Sequence, residues 1–392
     1  MDQRKGSNND GYLPQAQPKK KPPVWIWIAA AACIAAVVML VLVFTLGSAT
    51  QTTDPPEVSR PAAAASKAPV ATATPEFNPA EYSVAICMPV FSHPVHRIVQ
   101  LGFLKAAREL GYTDARVIGT EGSNMDEVHA AAEAFAADGG DGILLWASDS
   151  YSFETIESLH EQGVYVGIPH FNLQLDDGTY PEGLAFGMGC SPKQYGAQVA
   201  GLLADKLNGR TGSVVSTFTA TSFSRTGEAA MGFITEWDKL AADGAHNLAG
   251  ITLLEPQYEG FDIATSTALH LELIQAHPDL IGVFGIGGNS AIAWAEAAAQ
   301  AGKANGEIAI VGMDAYADNL QALRDGKVLA LVAQPLYQEA HKTMEYFDIL
   351  FRGGEVPKWT DLVAPLVTLD GEGENGPAYH EAILAEVEIF FN

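Results

Sequence analysis

Basic residues are scarce. Lys and Arg total 22 against 47 Asp and Glu, a net charge of −25 over 392 residues. Five of the basic residues (Arg4, Lys5, Lys19, Lys20, Lys21) precede residue 54, opposed there only by Asp2 and Asp10. The remainder holds 17 basic and 45 acidic residues, a net of −28. Nucleic-acid binding needs basic grooves, so that class of partner is excluded. The balance suits a body outside the cell and a neutral or cationic small ligand. Cysteine is scarcer still, with Cys33, Cys87 and Cys190 alone. They build no disulfide framework and show no metal-ligand spacing. Cys87 and Cys190 each end or follow an apolar run and read as buried free thiols, a bridge between them being the alternative. Catalytic motifs are also missing. There is no GxSxG, no HExxH and no dinucleotide fingerprint after the first strand. GIGGNS at 285–290 has the glycines of a phosphate loop but no GK[ST]. His93, His96 and His170 could meet across two loops, but a closed metal site needs ligands in a fixed geometry, so no metal is expected. Neither an enzyme nor a cofactor is expected.

Residues 1–23 are polar, end in KKKPP and read as a disordered cytoplasmic tail. Residues 24–46 carry no charge, long enough for an apolar helix to cross a bilayer. The preceding lysines, with Trp25 and Trp27 at the boundary, put the N-terminus in the cytoplasm and the rest outside. A cleaved signal sequence ending near Gly47-Ser48-Ala49 is the competing reading. No lipobox cysteine follows the apolar run. Residues 47–81 are a Pro/Thr/Ala linker that holds a soluble head away from the membrane.

From Tyr82 the pattern alternates. Apolar strands at 82–89, 115–118, 142–147, 164–168 and 184–188 are separated by helices at 94–111, 124–137 and 150–162. Trp146 is expected in the core rather than the crevice. The rhythm repeats: strands at 213–219, 249–254, 280–285, 308–312 and 328–333, helices at 192–208, 226–242, 262–276, 290–301 and 337–351. Continuous apolar strands alternating with helices mean parallel sheets covered on both faces. The number of units calls for two doubly wound lobes. Asp314 and Gln334 stand at the carboxyl ends of consecutive strands, where ligands bind in open α/β sheets.

The stretch VGMDAYADNLQALRDGKVLALVAQ (311–334) resembles the strand–helix–strand unit near the end of the type I periplasmic sugar-binding proteins, in the ribose-binding-like branch of ABC substrate-binding proteins. The resemblance covers about residues 82–370. It implies two lobes joined by a multi-segment hinge: an N-terminal lobe of 82–187 and 335–361 and a C-terminal lobe of 188–334 and 362–392. It also implies a ligand between the lobes, with Asp314 and Gln334 bound to it. FSHPVHR (91–97) resembles the family's Asn-Pro-Phe-Phe loop. His93 stands at the Asn position, Pro94 is retained, and Val95 and His96 replace the aromatics; Phe91 is a compensating ring. Asp149 follows the third strand. IPHFNLQ (168–174) occupies the place of an Asp-Arg pair and offers His170, Phe171 and Asn172 instead. In TATSFSRTGEAAMGF (219–233) the family's arginine position is Ala229, and Arg225 lies one turn earlier. Asn289 lies two residues beyond Gly287, the position of the family's Asn.

The implied function is an extracytoplasmic solute-binding receptor that hands a monosaccharide or related polyol to an ABC permease and its ATPase. It would be held at the cell membrane through residues 24–46, or secreted or periplasmic if that segment is cleaved. The alternative is a sensor for a small signal molecule or nucleoside acting through a separate membrane partner. The physics of the site is general. Sugar C–H faces pack on rings, and sugar hydroxyls need donors and acceptors in a dry cleft.

Overall fold

The computed structural model describes residues 77–148, 150–219 and 225–391. The tail, the apolar run 24–46, the linker through residue 76 and Asp149 lie outside the described residues. No described helix is long and apolar enough to cross a membrane.

The first half forms β1 (Ser83–Met88), α1 (Pro94–Leu110), β2 (Asp114–Gly119), α2 (Met125–Ala137), β3 (Gly142–Leu145), α3 (Phe153–Glu161), β4 (Tyr165–Pro169) and β5 (Leu184–Cys190). The local chemistry sets the ends of these helices. His93 caps α1 by accepting from the Val95 N–H, Pro94 fills the first turn, and Gly111 closes it in the left-handed conformation at φ 90°. Asn124 caps α2 through the Asp126 N–H.

The second half repeats the scheme. It contains α4 (Pro192–Leu207), β6 (Gly212–Phe218), α5 (Arg225–Asp243), β7 (Ile251–Leu253), β8 (Gln257–Tyr258), α6 (Ile263–Ala276), β9 (Leu280–Ile286), α7 (Ser290–Gln300), β10 (Ala309–Met313), α8 (Ala317–Arg324) and β11 (Ala330–Val332). Then come α9 (Leu336–Phe351), β12 (Trp359–Leu362), β13 (Leu366–Val367) and α10 (Pro377–Phe391).

Two sheets result. The first runs β12-β5-β4-β3-β1-β2 and is parallel throughout. The second runs β13-β11-β10-β9-β6-β7, with β8 also on β6 and only β13 antiparallel. Each sheet is covered on both faces by apolar clusters. The chain passes from β5 of the first sheet into α4, which packs on the second. It returns after β11 through α9, whose Ala340, Met344 and Phe347 join the first-lobe core. It passes once more from β12 to β13. In both sheets the strand order reverses beside the first strand of the half, β1 or β6. Crevices open at the carboxyl ends of strands at such points.

Close packing within the second lobe depends on two glycines. A Cβ on Gly196 of α4 would sit 2.1 Å from the Ala229 carbonyl oxygen, and one on Gly232 of α5 2.2 Å from that of Lys193. The backbones of α4 and α5 therefore touch where any side chain would hold them apart.

Residues 362–392 were expected to belong to the second lobe. The helix α10 within them touches both lobes. Leu384 lies against the second-lobe core, and Arg324 at the end of α8 pairs with Glu381 at 2.6 Å. On the first lobe, Lys105 of α1 meets Glu386 at 2.7 Å. The guanidinium groups of Arg97 and Arg108 lie over the Phe391 and Phe390 rings. A helix apolar on several sides needs more than one neighbour, and both lobes supply one.

Cys87 and Cys190 are free and buried. Burial pushes each thiol up to about 12. At pH 8 almost no thiolate forms. Alkylation mapped by mass spectrometry is therefore expected to leave both untouched in the native protein and to modify both in denaturant. Rapid native-state modification of either would contradict this packing.

Candidate functional site

Among the described residues, three non-glycine residues have positive φ: Val90 at 42°, His170 at 72° and Asp314 at 63°. They follow β1, β4 and β10, at the carboxyl ends of those strands. His and Asp tolerate this region better than most residues, whereas a β-branched valine does not. Strain of about 1–3 kcal/mol per residue persists where the surroundings enforce it, and it gathers at binding sites.

Around these residues the strand ends form a polar and aromatic wall. In the first lobe the Trp146 ring stacks on His170, with centroids 5.2 Å apart and planes at 10°. His96 lies 4.9 Å from the same indole, and Phe171 meets it edge-on at 5.4 Å. Trp146 was expected in the core. It is half-buried, packed on the first-lobe cluster and also on these rings. The strand ends two residues earlier than its apolar run, which puts the indole at the crest. His96 Nδ1 lies 2.8 Å from the Pro89 carbonyl oxygen and 3.0 Å from that of Val90, so this nitrogen carries the proton. Burial lowers the pKa of His96.

His170 is buried, and its Nδ1 lies 3.2 Å from Oε2 of the fully buried Glu339. Burial, and next the charge of Arg225, lower its pKa; Glu339 opposes them. Arg225, at the start of α5, donates to the His170 carbonyl at 2.7 Å and to the Cys190 carbonyl at 3.1 Å. It thus ties the second lobe to the end of the first sheet.

In the second lobe Gln334 Nε2 donates to Asp314 Oδ1 at 2.9 Å, and the Tyr316 hydroxyl donates to Oδ2 at 3.2 Å. Burial raises the Asp314 carboxyl above the ordinary range, and these two hydrogen bonds oppose it. Asn319 ties the turn by donating to the carbonyls of Gly288, Met313 and Asp314, each at 2.9 Å.

A cavity of about 620 Å³ adjoins this corner. His93 enters it from the first lobe. Thr219, Glu259, Phe261, Asn289 and Tyr316 come from the second, and Leu384 from α10. Thr219 follows β6 and Asn289 follows β9, the strands flanking the second sheet's reversal. The Phe261 ring is 72% exposed. Asp314 and Gln334 line a small void of about 30 Å³ that shares Tyr316 and Leu384 with the larger cavity.

The residues expected at the ligand are thus divided. His93 and Asn289 line the 620 Å³ cavity, with Asp314 and Gln334 beside it. Phe171, Asn172 and Arg225 line a separate space of about 810 Å³, together with Cys190, Trp359 and Asp361. Asn172 is exposed and accepts from the Gln174 N–H, an ordinary loop turn. Phe91, expected to offer a stacking face, packs on the first-lobe core, and its carbonyl accepts from Gln100 at 2.6 Å. His170 and His96 build the Trp146 wall. Glu259, Phe261, Thr219 and Tyr316 were not anticipated. The exposed aromatic directly before the Asp262 helix cap was the available signal for Phe261. Among the described residues no group of three His, Cys, Asp or Glu could hold a metal.

The family model described as "Periplasmic binding protein domain" matches residues 84–355. The chain belongs to this family. It is 26% identical to the ribose import binding protein of Bacillus subtilis over 294 residues, 74% of this chain and 87% of that one. Two solved structures share the fold. One is a sugar-binding protein of a sugar ABC transporter from Bacillus halodurans, with TM-score 0.65 and 18% identity, covering 76% of this chain and 99% of that chain. The other is a periplasmic ribose ABC transporter protein from Conexibacter woesei, with TM-score 0.64 and 18% identity, covering 74% and 95%. In this periplasmic binding protein α10 lies beyond the residues that the family model matches.

Proposed function

We propose that the protein is the extracytoplasmic solute-binding receptor of an ABC importer and binds a monosaccharide or related polyol between its lobes. It is a binder, not an enzyme. The observation that carries the reading is the Asp314–Gln334 pair. Two polar side chains at the carboxyl ends of β10 and β11 are hydrogen-bonded to each other beside a 620 Å³ cavity. The names of the relatives point the same way: ribose for the Bacillus subtilis protein, sugar for the Bacillus halodurans one.

In this reading Asp314 accepts from ligand hydroxyls, and Gln334 and Asn289 both donate and accept. His93 reaches across from the first lobe, and Phe261 and Tyr316 present ring faces to C–H surfaces. Lobes of 82–187 with 335–361 and 188–334 with 362–392 close about the hinge strands. Ligand favours the closed form only through contacts that it gains there. The apolar run 24–46 tethers the receptor to the membrane, where the closed form meets a permease with its ATPase.

A thermal-shift screen against pentoses, hexoses, polyols, nucleosides and amino acids tests the reading. A ligand that binds only the folded state raises the apparent stability. A sugar or polyol is expected to shift the melting temperature. A shift by nucleosides or amino acids alone would overturn the proposal.

A further inference from the structure

The charges lining the 620 Å³ cavity are more one-sided than a neutral ligand requires. Glu259 is 3% exposed and lines the cavity. Its Oε2 lies 2.7 Å from His270 Nε2, and the Ser290 hydroxyl donates to Oε1. His270 is fully buried, its ring stacked on Trp294 at 3.9 Å and 7°. Its Nδ1 has no partner among the described residues.

Glu259 thus meets one imidazole and one hydroxyl, and among the described residues no Lys or Arg pairs with it.

A second carboxylate flanks the same turn. A Cβ on Gly287 would lie 3.3 Å from Glu259 Oε1, and one on Gly288 3.1 Å from Asp314 Oδ2. Two adjacent glycines thus let two carboxylates approach one loop. The protein partners of Asp314 are an amide and a hydroxyl, both neutral. Asp318 also lines the cavity, and no Lys or Arg does among the described residues. Residues 220–224, ATSFS, carry no basic side chain. Arg225 is engaged by the carbonyls of His170 and Cys190. Carboxylates held away from water without a cation are costly unless something supplies the opposite charge.

We propose that the cleft takes a polyhydroxylated ligand bearing an ammonium group, an amino sugar being the simplest form, with the amine at Glu259 and hydroxyls at Asp314 and Gln334. This rests on the reading of the cavity as the solute site. It makes Glu259 the residue that sets ligand charge. Acidic sugars are excluded, because their carboxylate would face two others.

The test is calorimetry on the full chain with D-glucose, D-galactose and D-mannose, each beside its 2-amino-2-deoxy form and its uronic acid. In at least one set the amine is expected to bind about tenfold or more tightly than the neutral parent, the worth of one charge-assisted hydrogen bond. No uronate should bind. In Glu259→Gln the amine-to-parent ratio should fall towards one. The wild-type ratio decides the matter even if that variant folds poorly. A neutral sugar that binds as tightly as its amine overturns this inference and leaves the sugar-receptor reading standing, as does uronate binding. Binding by none of the nine overturns this inference, and the pentose and polyol arms of the thermal-shift screen then decide the sugar-receptor reading.

Discussion

Trp294→Ala is expected to destabilise the protein by about 3–5 kcal/mol, the usual cost of emptying a large aromatic site in a core. Trp294 is fully buried among the residues between the second sheet and its α6–α7 face. Its indole N–H donates to the Thr217 hydroxyl at 3.0 Å, and its face holds His270. The loss would reach the cavity through His270 and Glu259. Ligand affinity should therefore fall as well, although Trp294 does not line the cavity. Urea unfolding monitored by circular dichroism measures the first effect and calorimetry the second. Trp294→Phe, which keeps a ring against His270, should recover most of both. A loss below 1 kcal/mol would mean that the ring is not the support it resembles.

Asp314→Asn should move stability and binding in opposite directions. Burial raises the Asp314 pKa, so the folded state holds this proton more tightly than the unfolded chain does. Below both values the group is protonated in each state and has no effect. As pH rises through the window between the ordinary carboxylate value and the raised one, ionisation opposes folding, and above the raised value the penalty is fully present. Asparagine carries no such penalty. It also tolerates φ 63° as well as aspartate does. Its amide can still meet Gln334 and the Tyr316 hydroxyl. The ligand-free melting temperature should rise at pH 7, and the gain should shrink as pH falls. Affinity should drop by about 1–3 kcal/mol as the acceptor charge is lost. A variant that melts lower than wild type at pH 7 would contradict the assigned strain. Sites built for binding commonly give up stability in this way.

Much of this architecture is legible in the residues. The apolar runs 82–89, 164–168, 308–312 and 328–333 become strands in parallel register, because runs apolar on both faces must be buried on both. Asp262 and Asn124 mark helix starts by chemistry that acts within one turn. Asp314 and Gln334 are found from their place after consecutive strands. What is not legible depends on distant partners. Phe261 sits on the loop after β8, off the main strand path, and nothing nearby in sequence says that it faces a cavity. Glu259 carries no local signal in the sequence, because His270 and Ser290 close round it only in the fold. Phe91 reads as a stacking ring, but Gln100, nine residues further on, draws its backbone inward. The helix α10 shows apolar and acidic character, but only the fold reveals that Lys105 and Arg324 reach it from opposite lobes.

The most direct measurement is a calorimetric titration of wild type and Gln334→Ala with the sugar that gives the largest thermal shift. Gln334 Nε2 donates to Asp314 and is part of the corner beside the cavity. The account predicts micromolar or tighter binding to wild type, weakened by about five- to 150-fold in the variant with the fold intact, the equivalent of about 1–3 kcal/mol. Equal affinity in both proteins would place the sugar elsewhere and contradict the account.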